Sequence, residues 1–121
     1  MPEVADDYER ALQIFRATAK KTHDKSLTWT PRNVTSRRGA YEVDLQSGNL
    51  EIGYADNDGA PPHDFHIYGP APEYELVHRI SGREHPDLEA ELAELHNLVE
   101  RQVKGIEDVF ENILSELGEA P

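Results

Sequence analysis

Residues 41–54, Tyr41-Glu42-Val43-Asp44-Leu45-Gln46-Ser47-Gly48-Asn49-Leu50-Glu51-Ile52-Gly53-Tyr54, decide the fold. Tyr41, Val43 and Leu45 alternate with Glu42, Asp44 and Gln46, the period-two pattern of a strand with one face buried. Ser47-Gly48-Asn49 supplies a tight turn, because Gly and Asn accept positive φ. Leu50, Ile52 and Tyr54 then alternate with Glu51 and Gly53 as the returning strand.

The same reading extends outward on both sides. After a longer loop over 56–62, residues 64–68 form a third strand, with Phe65 and Ile67 on one face and His66 and Tyr68 on the other. Gly69-Pro70-Ala71-Pro72 is the next turn, and 74–81 the fourth strand, with His78 in phase with Leu76 and Ile80. Upstream, 26–30 alternates like a short strand that Pro31 ends or confines to an edge, and 33–36 is a further short strand or a loop. Short connections make the whole an antiparallel meander of four to five strands.

Helical periods flank this sheet. Over residues 3–22, Val4, Tyr8, Ala11, Leu12, Phe15 and Ala19 recur mostly at intervals of three and four, which is one helical face. From Pro86, suited to a first helical turn, Leu88, Leu92, Leu95, Val99, Val103, Ile106, Phe110, Ile113 and Leu117 follow at coiled-coil spacings, with an irregularity at Val99–Val103. Gly118 is placed to cap the end. The fold class is therefore α+β: an N-terminal helix, the meander, and a long amphipathic C-terminal helix on one face, in a single domain over 1–121. The expected core is Leu12, Phe15, Trp29, Tyr41, Val43, Leu45, Leu50, Ile52, Phe65, Ile67, Leu76, Leu92, Leu95 and Val99.

Composition narrows the function classes. The chain has no cysteine, which removes disulfides, thiolate metal sites and a thiol nucleophile. No apolar run reaches the roughly 20 residues a membrane span needs, and the acidic start lacks a secretory h-region, so a cytoplasmic location is expected, with no membrane partner. The net charge of −12 opposes nucleic acid and anionic membranes. It is unevenly spread: eight basic and five acidic residues in 1–38, four basic and nineteen acidic in 39–121.

A continuous helix over 86–117 would be about 48 Å long at ~1.5 Å per residue, whereas a six-residue strand spans only ~20 Å. The sheet cannot cover that stripe. Val103, Ile106, Phe110, Ile113 and Leu117 are therefore the expected interface, with Leu98, Val109 and Leu114 widening it, and a homodimer the expected assembly. A break at Gly105 that folds the end back is the competing geometry, since Gly costs about 1 kcal/mol inside a helix. The leading function is a non-enzymatic protein-interaction module of adaptor, chaperone or acidic-inhibitor type, with a basic protein as a further partner.

Two alternatives follow from particular residues. His63, Asp64, His66 and His78 are the side chains from which a small metal-dependent or acid–base enzyme would be assembled, with His63, Asp64 and His66 as metal candidates. Strand alternation opposes this, because His63 and His66 then face opposite ways and His66 meets His78 only if both share a face. Asp56-Asn57-Asp58-Gly59 lacks the later glutamate and flanking helices of a calcium loop. The second alternative is a nucleic-acid module on the basic segment 16–38, with Trp29 as a stacking platform beside Arg32, Arg37 and Arg38; Trp29 as core is the competing placement. No Walker or dinucleotide motif is present, and no cofactor is expected.

Overall fold

The computed structural model describes residues 3–32, 39–56 and 58–119; residues 33–36, Arg37, Arg38, Asn57 and the side chain of Val4 lie outside the described residues. Helix α1 (Glu3–His23) leads into strands β1 (Thr30–Pro31), β2 (Tyr41–Asp44), β3 (Asn49–Tyr54), β4 (His63–Tyr68) and β5 (Leu76–Ser81). A 3₁₀ turn (Pro86–Leu88) then opens helices α2 (Glu89–Lys104) and α3 (Ile106–Glu116). The strands pair antiparallel in chain order. The α+β class and the meander are as the alternation requires.

The apolar halves of the alternating strands meet the helices. Tyr41, Val43, Leu50, Ile52, Phe65 and Ile80 from the sheet pack with Ala11 and Phe15 of α1 and with Leu92, Leu95 and Val99 of α2. Phe15 and Phe65 cross edge to face at 5.2 Å, joining α1 to strand β4. The buried line of α1 continues through Thr18 and Thr22, whose hydroxyls donate to the carbonyls of Ile14 and Thr18. Trp29 is core: its indole N–H donates to Thr22 Oγ1 at 3.0 Å. Helix α1 ends where Ser26 N–H bonds Lys21 O and Lys25 N–H bonds Thr22 O, with Lys25 at φ 63° in the position glycine usually takes.

Two expected core residues lie elsewhere. Leu45 falls beyond the last ladder residue, in the turn closed by its N–H on Gly48 O, and is exposed. Leu76 is exposed because a bulge between Ile67 and Tyr68 inserts Val77, which moves Leu76 out of phase with His78 and Ile80. Leu12 and Ile67 are only partly buried, packed against the core.

The continuous helix expected over 86–117 is divided. Gly105 adopts φ 63°, ψ 36°, which ends α2 and begins α3. In that left-handed conformation the carbonyl ladder cannot continue in line, and glycine adopts it without a Cβ penalty. The break does not fold α3 back: among the described residues, none in α3 is buried.

Candidate functional site

Alternation also builds a second sheet face, opposite the helices. One rung crosses four strands there: Glu42 faces Glu51, Glu51 faces His66, and His66 faces Arg79. Two glutamates side by side would repel. Arg32 resolves this from the edge of the sheet, donating from Nη1 to Glu42 Oε1 at 3.0 Å and to Asn49 Oδ1 at 2.6 Å, with Nε 3.1 Å from Glu51 Oε2. Its guanidinium lies 4.5 Å over the Tyr68 ring. Arg32, Asn49 and Glu51 are all buried, Glu51 completely.

His66 joins this network. Its Nδ1 is 2.8 Å from Glu51 Oε1 and 3.0 Å from Tyr68 Oη, and its Nε2 is 3.3 Å from Asp64 Oδ2. Both ring nitrogens thus face carboxylates. Burial raises the pKa of Asp64, but bonds from His66 and the Ser81 hydroxyl, with the charges of His66 and Arg79, outweigh it and hold the carboxyl below its ordinary value.

His63 belongs to the other face. Its Nδ1 donates to Glu89 Oε2 at 2.7 Å, and its backbone N–H donates to Glu89 Oε1 at 2.8 Å. Gly82 lets the Glu89 carboxylate come this close, because a Cβ there would collide with Glu89 Oε1. The His63, Tyr54 and His96 rings form a three-way cluster with centroids 4.7–4.9 Å apart. His96 Nε2 donates to Gly39 O at 2.7 Å, and burial depresses its pKa more than that bond raises it. Tyr41 donates to Glu100 Oε2 at 3.3 Å; burial and that carboxylate push its pKa up to about 12.

The residues expected to assemble an acid–base or metal centre are therefore separated by the sheet. Asp64 and His66 share one face, while His63 and His78 share the other, His78 lying opposite Ile67 with its ring 6.5 Å from Tyr8. His66 and His78 do not meet. Among the described residues, no three His, Asp or Glu side chains come together as a metal site. In the basic segment, Arg16 faces Glu91 at 3.4 Å and Arg32 is committed to the buried network, while Arg37 and Arg38 lie outside the described residues. The network itself had one sequence signal, a rung of mixed charge at Glu42, Glu51, His66 and Arg79.

The seam of the last two helices runs from core to solvent. Val103 packs against the core and Ile106 is partly buried, while Val109, Phe110, Ile113, Leu114 and Leu117 are 38–72 % exposed. The opposite side of α3, carrying Glu107, Asp108 and Glu111, lines a groove of about 810 Å³ against the body of the protein. Both sides of α3 are therefore exposed, the acidic one along the groove and the apolar one away from it. Arg101 bonds Glu107 and lies 5.9 Å from the Phe110 ring centre. Among the described residues, no helix is long and apolar enough to cross a membrane. No protein-family model, curated protein or solved structure matches the chain.

Proposed function

We propose that the protein is a non-enzymatic interaction module that self-associates through α3. The observation that supports this reading is the exposed apolar strip of α3: Phe110, Ile113 and Leu117, flanked by Val109 and Leu114, stand in water. A contiguous apolar strip of this kind marks an interaction surface. Ile106, Phe110, Ile113 and Leu117 are spaced 4, 3 and 4, the seam by which two helices pair, and a two-fold pair is the commonest assembly.

The charges of α3 give this pairing a distinctive signature. The helix carries Glu107, Asp108, Glu111 and Glu116 and no lysine or arginine. Of these, Glu107 and Glu116 lie beside the seam, so two copies bring like charges together there and salt strengthens the dimer. A basic partner on the same strip would be weakened by salt. Sedimentation across a salt series separates the two: a dimer that tightens with salt supports the second copy, and a monomer at every salt concentration rejects self-association.

A further inference from the structure

We propose that the groove in the elbow between α2 and α3 binds a short peptide segment of a partner protein, one that carries arginine or lysine beside bulky apolar side chains. This goes beyond self-association and uses the opposite side of α3.

The groove has a fixed apolar floor. Leu27, Trp29, Leu98 and Val103 line it. Gln102 holds the connection between α1 and β1 in place, accepting from Trp29 N–H at 2.7 Å and donating to Leu27 O at 3.0 Å. The indole N–H bond to Thr22 locks the Trp29 ring. A floor held at three points is formed before any ligand arrives, which lowers the entropic cost of binding. A volume of about 810 Å³ lies in the range of real ligand pockets, which are mostly apolar with a few directing polar groups.

One wall supplies the directing groups. Glu107, Asp108 and Glu111 present carboxylates from α3, and all three side chains are exposed. Arg101 engages Glu107, and Lys25 stands on the far rim. Acidic side chains over an apolar floor complement a cationic, apolar segment and repel nucleic acid. The net charge of −12 attracts the same class of partner from a distance. An extended peptide fits an elbow bounded on one side by β1, the edge strand of the sheet.

The test uses a labelled peptide alternating arginine with leucine, a second alternating arginine with serine, and the full-length protein. Trp29 is the chain's single tryptophan, so its fluorescence reports occupancy of the floor directly. The arginine–leucine peptide should bind, shift the Trp29 emission and weaken with salt, and the arginine–serine peptide should bind at least about tenfold more weakly. Neutralising the wall (Glu107→Gln, Asp108→Asn, Glu111→Gln) should weaken binding at least about tenfold, while the charge-matched Glu94→Gln, Glu116→Gln, Glu119→Gln variant stays within about twofold. Equal losses in the two triple variants, equal binding of the two peptides, or no binding to the wild type would overturn the proposal. Phe110→Asp should retain peptide binding, so the groove and the self-association surface fail independently.

Discussion

Gln102 grips the backbone at Trp29: its Oε1 accepts from the Trp29 N–H at 2.7 Å, while its Nε2 donates to Leu27 O at 3.0 Å. One amide thereby ties the segment after α1 to the last turn of α2. Gln102→Ala leaves a donor and an acceptor without their partner and should cost about 2 kcal/mol. Gln102→Glu keeps the bond from Trp29 N–H and loses the one to Leu27 O, so it should cost less. Urea denaturation followed by Trp29 fluorescence measures both, and equal stability of Gln102→Ala and wild type would show the clamp to be idle.

The buried cation on the second sheet face behaves differently from a surface ion pair. Arg32→Met leaves Glu51 charged and buried without its guanidinium, a loss expected to cost about 3–5 kcal/mol. Adding Glu51→Leu removes that buried charge and should recover about half of that loss or more. Denaturant midpoints of the single and double variants check the sign; a double variant less stable than Arg32→Met would contradict the ion-pair account.

At Gly105 the left-handed backbone alone sets the elbow, since a Cβ there would meet nothing within 4 Å. Gly105→Ala therefore pays only the cost of left-handed geometry, about 1–2 kcal/mol, and escapes it by entering the right-handed helix. The expected result is one continuous helix across α2 and α3, seen as increased far-UV helicity and a longer maximum dimension in small-angle scattering. Unchanged values of both would place the cause of the elbow elsewhere.

Stability should form a plateau against pH. His96 titrates below 6.5 in the fold, so the stability from its neutral form is complete above that value and is lost as pH falls beneath it. Asp64 acts in the same direction lower down: its contribution is complete above about 3.8 and is lost as pH falls below. Tyr41, at about 12 against 10.0, contributes fully below pH 10 and loses that contribution as pH climbs toward 12. Thermal midpoints should thus be flat from about 6.5 to 10 and fall on either side, and Tyr41→Phe should flatten the alkaline limb.

The sheet was legible because strand alternation has only two phases, and Tyr41 to Val43 and Leu50 to Tyr54 each keep one of them on either side of a Gly-Asn turn. It misled at Leu45 and Leu76, where a turn and a bulge reset the phase, because neither leaves a mark in the apolar pattern. The division of the last helix at Gly105 was one of two geometries open in the sequence, and the apolar pattern did not choose between them. The spacing Val103, Ile106, Phe110 runs unbroken through Gly105, and the backbone angle there decides for the elbow. The buried network was the least legible part. Arg32, Asn49 and Glu51 are residue types that favour water, and their burial depends on an arginine reaching two strands from outside the ladder. Thr18 and Thr22 escaped notice in the same way, since their hydroxyls are satisfied within α1 itself.

Sedimentation equilibrium of wild type and Phe110→Asp, each at low and high salt, bears most directly on self-association through α3. The expected outcome is a wild-type dimer that tightens with salt and a Phe110→Asp monomer of unchanged far-UV spectrum, its pairing weakened by about 2 kcal/mol or more. A wild-type chain that stays monomeric at all concentrations and salts, or a Phe110→Asp dimer as tight as wild type, would contradict it.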